Sequence, residues 1–382
     1  MANNNDKKVL NVPALRFPEF ADKWEKGYFK DVCKITTGNK NTQDKDENGL
    51  YPFYVRSQNI ERINSWTFDG EAILTAGDGV GVGKVFHYSI GKIGVHQRVY
   101  ILSNFKCDGK YLYQYFSSRF YNRVKRMSAK NSVDSVRMEM IADMPLYLPS
   151  VGEQHKIGKL LALLDERIST QNKIIEKLQS LIRGIVTKIC SGAFVKGKYV
   201  FLRDILIERH IKNIENYEVY SVSVSQGIIN QIDYLGRSFA SKETLHYNVV
   251  NYGDIVYTKS PTGDFPYGIV KRSHIQKPIA VSPLYGVYQP KNDYIGKYLH
   301  LYFKSPINTK NYLHRLIQKG AKNTINITNS HFLDNNVFIP EKPELINIVN
   351  LTSAIEDKLV LASRMLDSLK SQKGYLLSKM FI

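Results

Sequence analysis

Two stretches of the chain align with each other without a gap, and they decide its organisation. They read LPSVGEQHKIGKLLALLDERISTQNKIIEKLQSLIRGIVTK (residues 148–188) and IPEKPELINIVNLTSAIEDKLVLASRMLDSLKSQKGYLLSK (residues 339–379). Each begins with an apolar residue and Pro, and the acidic pair Asp165-Glu166 lies in register with Glu356-Asp357. An ungapped repeat of this length predicts an internal duplication.

Both copies carry the heptad pattern of a coiled coil, because their apolar residues recur at alternating steps of four and three. Gln171 interrupts the pattern in the first copy and Lys373 in the second. At 1.5 Å per residue each helix would be roughly 50–60 Å long. Neither helix can bury such a seam alone, so the simplest partner of each is the other. The residues expected to pair them are Ile157, Leu161, Leu164, Ile168, Ile175, Leu178, Ile182, Ile348, Ile355, Leu359, Leu366 and Leu369.

The segments between the helices also repeat, more loosely and in the same order. The matching pairs are Phe29–Val32 with Leu202–Ile205, Gly70–Thr75 with Gly253–Thr258, and Lys110–Phe116 with Lys297–Phe303. The chain therefore reads as domain, helix, domain, helix.

Each domain combines short strand patterns with helical ones, which predicts an α+β fold of about 150 residues per domain. Runs rich in Tyr, Phe, Val and Ile predict strands at Tyr51–Val55, Ala72–Thr75, Lys92–Leu102, Tyr217–Val224 and Asp254–Thr258. Aromatic residues at core spacing predict helices over Lys110–Met127 and Tyr294–Gln318.

The charge of the chain predicts a polyanionic partner. It has 382 residues, a formal net charge of +18 and a pI of about 9.5. Nucleic acid is the first candidate, with anionic membrane and acidic protein as alternatives. The cysteines Cys33, Cys107 and Cys190 lie far apart, which argues against a structural zinc site or a disulfide scaffold. We find no signal-peptide pattern and no apolar run of about 20 residues, so we expect a cytoplasmic protein without membrane association.

Motifs for enzymatic chemistry fail on inspection. The run Gly77–Lys84 lacks the Walker spacing, with Asp78 and Val85 at two required positions, and lacks a dinucleotide-binding context. We expect it to form a flexible hairpin that brings backbone close to a ligand. Pro343-Glu344 with Glu356-Asp357-Lys358 imitates a nuclease set, but the heptad pattern predicts a solvated helix face there. The sequence therefore predicts no catalytic residue, no metal site and no cofactor bound by this chain.

Basic and amide side chains cluster in the loops of both domains. Arg suits guanine, Asn and Gln suit adenine, and Lys suits phosphate. Any one of these residues could equally be ordinary solubilising surface, and the argument for function is their occurrence in matching loops. The predicted DNA-binding residues are Lys40, Asn41, Arg56, Gln58, Asn59, Arg62, Lys84, Gln97, Arg98, Lys130, Asn131, Arg137, Lys259, Lys319, Lys322, Asn323 and Thr324.

Essentially the whole chain resembles the specificity (S) subunits of Type I restriction–modification enzymes. Val12–Phe20 followed by Trp24 is similar to the start of these subunits. Pro149, Glu153-Gln154 and the heptad residues up to Ile168 are similar to their conserved helical region. The Lys84 hairpin and Gln97-Arg98 are similar to parts of their target-recognition domains. The second helix departs from this pattern, because Leu345-Ile346 replaces Gln154-His155.

The resemblance implies an α+β fold with two target-recognition domains in tandem, separated by two long conserved helices that pair as an antiparallel coiled coil. The first recognition domain would span residues 1–148 and the first helix 149–195. The second recognition domain would span 196–339 and the second helix 340–382.

The resemblance also implies a non-catalytic subunit that reads a bipartite, asymmetric target in double-stranded DNA. Two methyltransferase (M) subunits would methylate adenine with S-adenosylmethionine, and restriction (R) subunits would cleave with ATP and Mg. The helices would set the distance between half-sites, which lie about 34–36 Å apart when read from one face of the duplex.

Two other hypotheses remain open at this point. A nuclease or fused restriction–modification protein would cut DNA with magnesium alone. A protein-interaction adaptor with incidental basic charge would bind duplex DNA weakly, without salt dependence, or not at all.

Overall fold

The computed structural model describes residues 11–127, 135–190, 192, 195–235, 243–319 and 325–382. Its internal contacts divide the chain into two compact units. The first comprises Met1–Lys173 and Arg364–Ile382, and the second comprises Ile174–Ser363. Each unit therefore contains one of the two repeated α+β segments, together with part of each of the two long helices.

The first unit holds a six-stranded sheet in the order β2-β7-β5-β6-β3-β4 and a separate β1-β8 pair. All pairs are antiparallel except β3 with β6. The strands are β1 (Glu25–Tyr28), β2 (Lys34–Thr37), β3 (Tyr51–Tyr54), β4 (Glu61–Ile63), β5 (Phe68–Ala76), β6 (Phe86–Val95), β7 (Val99–Ser103) and β8 (Pro145–Leu148). The helices are α1 (Phe29–Val32), α2 (Gly109–Met127), α3 (Met138–Ala142) and α4 (Val151–Cys190), whose last residues belong to the second unit.

The second unit is built on an antiparallel four-stranded sheet in the order β10-β17-β14-β15, with smaller two-stranded pairs around it. Its strands are β9 (Gly197–Phe201), β10 (Leu206–Glu208), β11 (Tyr220–Ser223), β12 (Gly227–Asn230), β13 (Asn248–Val250), β14 (Ile255–Thr258), β15 (Ile269–Arg272), β16 (Ile279–Val281), β17 (Gly286–Pro290), β18 (Gln318–Lys319), β19 (Ile325–Asn326) and β20 (Asn336–Pro340). Its helices are α5 (Gln231–Leu235), α6 (Asp293–Lys304), α7 (Pro306–His314) and α8 (Lys342–Lys379), whose last residues belong to the first unit.

The predicted helix over Lys110–Met127 is confirmed as α2, but the one predicted over Tyr294–Gln318 is broken into α6 and α7. Ser305 ends α6 and caps α7, because its hydroxyl accepts the Asn308 amide at 3.3 Å. Pro306 has no amide hydrogen and so cannot continue the first helix.

The strand predicted over Lys92–Leu102 is likewise divided between β6 and β7. A tight turn over His96–Arg98 separates them, closed by a hydrogen bond from the Val99 amide to the His96 carbonyl at 2.9 Å. Three consecutive polar residues, His96, Gln97 and Arg98, interrupt the apolar alternation at this turn, and the single predicted strand overlooked this signal.

The long helices pack with their heptad residues inward in both units. In the first unit, Ile157, Leu161 and Leu164 share a core with Leu369, and the Lys373 amine contacts the Asp165 carboxylate at 2.5 Å. In the second unit, Ile182 shares a core with Ile355. Ile189 and Ile348 share another core of the same unit, so residue numbers fall along α8 as they rise along α4, and the paired segments run antiparallel there.

The solvated face expected at Glu344 and Glu356 is wrong for both residues. The Lys304 amine of α6 donates to the Glu356 carboxylate at 2.8 Å, and that side chain is only 29% exposed. One carboxylate oxygen of Glu344 is buried. The contact between Lys304 and Glu356 joins α6 to this side of α8, which the heptad pattern alone does not indicate.

Candidate nucleic-acid interface

Four connections of the first unit meet at one edge of its sheet. They follow β2, β3 and β5 and join β6 to β7. Three backbone hydrogen bonds hold them together: the His96 amide donates to Tyr54 at 3.0 Å, Gln97 to Lys40 at 2.8 Å, and Gly77 to Arg98 at 2.8 Å. We call Lys40, Asn41, Arg56, Asp78, Gln97 and Arg98 the edge cluster.

The edge exists because the end of β6 curls back toward the end of β2. The amides of Asn39 and Lys40 both donate to the Val95 carbonyl, at 3.2 and 3.1 Å. A Cβ atom at Gly38 would lie 2.2 Å from that same carbonyl oxygen. Only glycine permits this approach, so Gly38 is a structural requirement of the edge.

Asp78 joins the two arginines of the edge cluster. Its carboxylate accepts a hydrogen bond from Nη1 of Arg56 at 2.7 Å and lies 3.7 Å from Nε of Arg98. The arginine side chains remain 45% and 66% exposed, whereas that of Asp78 is 28% exposed. The guanidinium groups therefore face solvent while a partly buried carboxylate holds them.

The amides of the edge cluster contact each other. Nε2 of Gln97 donates to Oδ1 of Asn41 at 2.6 Å. This bond leaves the Asn41 amide nitrogen as a donor and the Gln97 carbonyl oxygen as an acceptor. Adenine offers the complementary pair in the major groove, an N7 acceptor and an N6 donor.

His96 fixes the turn that carries Gln97 and Arg98. Its Nδ1 accepts the Arg98 backbone amide at 3.0 Å, and its Nε2 lies 3.3 Å from the Thr42 hydroxyl. Because Nδ1 is an acceptor, the ring is neutral with its proton on Nε2. Burial lowers the pKa of His96, and the nearby Arg56 lowers it further.

The glycine-rich run Gly77–Lys84 is not the flexible hairpin expected from its composition. It forms consecutive turns in which the Val82 amide donates to Gly79 at 3.1 Å and the Lys84 amide to Gly81 at 3.0 Å. Gly81, Val82 and Gly83 are buried, whereas Val80 is 96% exposed. The run presents one apolar side chain at the edge on a well-fixed backbone.

Other predicted residues of the first domain lie outside the edge cluster. Gln58 and Asn59 are exposed on the connection after β3. The Arg62 guanidinium donates to the carbonyls of Gly49 and Leu50, at 2.9 and 3.1 Å. These hydrogen bonds fix the backbone that precedes β3.

Two further basic residues of the first domain are exposed near the edge. The Lys84 amine lies 5.8 Å from the centre of the Tyr121 ring. Arg137 precedes α3, next to Val136, whose amide donates to the Gly77 carbonyl at 2.8 Å. Lys130 and Asn131 lie outside the described residues.

Fewer of the DNA-binding residues predicted for the second unit lie within the described residues. Lys259 is exposed directly after β14. The backbone of Lys319 belongs to β18, and the predicted Lys322, Asn323 and Thr324 lie outside the described residues. In the alignment that matches Thr75 with Thr258, Pro261 takes the place of Asp78. The acidic bridge of the first unit therefore has no equivalent at that position.

Sequence reasoning missed Asp78 and His96 as members of the site. Asp78 lies inside the run dismissed as a phosphate loop, and its partners Arg56 and Arg98 are distant in sequence. The sequence did contain one indication of the role of Asp78. An acidic residue in a loop of a strongly cationic chain is expected to form an ion pair with a nearby basic residue.

The described residues contain no group of three or more His, Cys, Asp or Glu side chains placed to hold a metal ion. Within the same residues, no helix combines the length and apolar character needed to span a bilayer.

The segment that contains the edge cluster is similar to a known family of proteins. Residues 21–180 match the family model described as the Type I restriction modification DNA specificity domain. The specificity subunit of the Type I restriction enzyme EcoDI from Escherichia coli is 25% identical over 177 residues, which cover 45% of this chain and 39% of that subunit. The MjaVIII specificity subunit from Methanocaldococcus jannaschii is 28% identical over 211 residues, covering 51% and 46%. The chain thus matches less than half the length of either relative.

A solved structure extends the likeness in fold to almost the whole chain. The crystal structure of the Type-I restriction-modification system S subunit from M. genitalium matches with a TM-score of 0.69 at 15% identity, covering 97% of this chain and 99% of that one. Residues 21–180 are therefore similar to the DNA specificity domain of Type I restriction–modification enzymes, and the fold of the chain is that of an S subunit. The resemblance to specificity (S) subunits inferred from the sequence is confirmed, and so is the α+β fold with its two long helices.

Proposed function

We propose that this chain is the sequence-specific DNA-binding subunit of a Type I restriction–modification complex. It reads a bipartite, asymmetric target in double-stranded DNA and performs no catalysis itself. The observation that carries the proposal is the edge cluster, where exposed arginines and an amide donor–acceptor pair converge on one rigid edge of a domain of this family. These are the groups that read guanine and adenine in the major groove.

The charge of the chain supports the same function. A net charge of +18 supplies the phosphate contacts that give most of the affinity for DNA, and binding should therefore weaken steeply with salt. We propose that the second unit reads the other half-site through Lys259, Lys319, Lys322, Asn323 and Thr324. The two edges differ in chemistry, as Asp78 and Pro261 illustrate, so the half-sites should differ in sequence.

We further propose that the domain boundaries predicted from the internal repeat separate the segments that recognise DNA from the helices that set the distance between half-sites. Residues 1–148 and 196–339 recognise DNA, and residues 149–195 and 340–382 set the distance between half-sites. Two M subunits bind this scaffold and methylate adenine with S-adenosylmethionine, and R subunits cleave with ATP and Mg. The complex works in the cytoplasm, where its DNA substrate lies. The heptad seams support the spacing role, because paired helices resist bending over such a length.

A whole-genome methylation map tests the function. Cells expressing the chain with its cognate methyltransferase are compared with cells that express the methyltransferase alone. We expect a new adenine mark at one bipartite motif, which would also give the target sequence and the spacer length. An unchanged map, with the methyltransferase shown to be folded and bound to the chain, would contradict the proposal. DNA cleavage by the purified chain with magnesium alone would support the nuclease alternative.

A further inference from the structure

The edge cluster contains a carboxylate that weakens attraction to DNA. Asp78 contacts Arg56 and Arg98 on an edge that is proposed to face DNA. A negative charge there opposes the electrostatic term that provides most non-specific affinity. Its presence therefore needs a function other than affinity.

The position of Asp78 is fixed by the backbone on both sides. Its main chain bridges to Ser135, and the preceding Gly77 accepts from the Val136 amide at 2.8 Å. Further along the same turn, a Cβ at Gly81 would lie 2.3 Å from the carbonyl oxygen of Arg56, so this loop packs directly on the backbone that carries Arg56. The carboxylate is thus held more firmly than the two long side chains it contacts.

The contacts of Asp78 act on orientation more than on stability. Both arginines are substantially exposed, and ion pairs in that setting add little to the free energy of folding. A free arginine samples many rotamers, and sequence readout needs its planar fork in one orientation. One carboxylate contacting both guanidinium groups restricts both at once.

We propose that Asp78 is a positioning residue that orients Arg56 and Arg98 to read one half-site, at the expense of non-specific affinity. This inference rests on the proposed function. It predicts that neutralising Asp78 moves affinity and specificity in opposite directions. A residue that merely supports the fold would lower both together.

The test uses the full chain bound to its methyltransferase and two duplexes of equal length. One carries the motif found by methylation mapping, and the other carries a scrambled first half-site. The variant is Asp78→Asn. The matched control is Asp143→Asn, which removes the same charge from an exposed ion pair of the same unit, between Lys30 of α1 and the residue that follows α3.

For Asp78→Asn we expect the ratio of target to scrambled affinity to fall about tenfold, the loss of one well-oriented arginine–guanine contact. Binding to the scrambled duplex should tighten, with a salt slope steeper by up to about 1 as the released arginines reach phosphates. The methylation map should become degenerate in one half-site only. Asp143→Asn should leave the ratio unchanged.

Other results separate the two claims. If the wild-type complex discriminates between the duplexes and Asp78→Asn discriminates equally well, or if both half-sites lose definition, the positioning role is wrong while the proposed function stands. If Asp78→Asn lowers affinity for both duplexes alike, the residue is structural. A wild-type complex that binds both duplexes equally would overturn the proposed function and this inference with it.

Discussion

The ion pair between Arg16 and Glu153 makes the sharpest prediction about stability. Glu153 stands near the start of α4, and its side chain is fully buried. Nε and Nη2 of Arg16 donate to its two carboxylate oxygens, both at 2.7 Å. The residue aligned with Glu153 in the second repeat is Glu344, where one carboxylate oxygen is buried and has no hydrogen-bond partner among the described residues.

Replacing Glu153 with Gln removes the charge and keeps the shape. Breaking one side of a buried bidentate pair costs about 3–5 kcal/mol, because the guanidinium left behind is poorly solvated. Arg16 retains 14% exposure and can keep one hydrogen bond to the glutamine oxygen, so we take about 3 kcal/mol. With a urea slope of about 2 kcal/mol/M, the unfolding midpoint of the first unit should fall by about 1.5 M.

Tryptophan fluorescence measures this unit selectively. The chain has two tryptophans, Trp24 and Trp66, and both belong to the first unit. Trp24 is 2% exposed, so its emission should shift when the core opens. Glu344→Gln is the matched control, because it makes the same substitution at the aligned position of the second unit. It should leave the tryptophan transition in place. A midpoint for Glu153→Gln within about 0.3 M of wild type would refute the reasoning that the buried pair stabilises the unit.

Three further perturbations test other parts of the argument. Deleting one heptad between Ile168 and Ile182 should change the spacer of the methylated motif and leave both half-sites intact; an unchanged spacer would contradict the spacing role. Burial lowers the pKa of Lys271 to about 8 from 10.5, which costs about 3 kcal/mol at neutral pH. Lys271→Met should therefore stabilise the second unit at pH 7 by about 1–2 kcal/mol by calorimetry, after loss of the hydrogen bond to Val224, and the gain should shrink between pH 8 and 10.5. The lowered pKa of His96 means that the unfolded chain binds a proton near pH 6.5 while the folded chain resists it. The first unit should lose stability as the pH falls below about 6.5, and His96→Gln should lose less by the same fluorescence assay.

The long helices were predictable because their signal is local. Heptad spacing within one stretch of chain gives the helix and the face it buries, and the repeat suggests the partner. The break between α6 and α7 was also visible locally, since Pro306 can begin a helix but cannot continue one. The turn at His96 had a local signal too, since His96, Gln97 and Arg98 interrupt the apolar alternation, but the strand prediction passed over it.

The edge cluster could be predicted only as a set of residue types. Arg56 and Arg98 were both candidates, yet nothing near either one indicates that a single carboxylate between them in sequence contacts both. That contact depends on the packing of Gly81 against the Arg56 carbonyl and on the hydrogen bond from the Gly77 amide to Arg98, which are long-range properties of the fold. The contacts that decide the geometry of the candidate site are therefore long-range contacts, which a local sequence pattern does not predict.

On the proposed function, the same division would allow a duplicated chain to recognise an asymmetric target. The helices depend on spacing alone, so Gln171 and Ala362, or Ile175 and Leu366, can occupy equivalent positions of the repeat without changing the seam. The edges depend on individual side chains at the ends of strands, where a single replacement such as Asp78 by Pro261 alters which groups face the ligand. Substitutions at the edges leave the cores intact, because Arg56 and Arg98 are exposed. If the proposed function holds, each half of the target could change independently while the distance between the halves is kept. The Asp78→Asn variant tests the first part of this proposal and the heptad deletion tests the second.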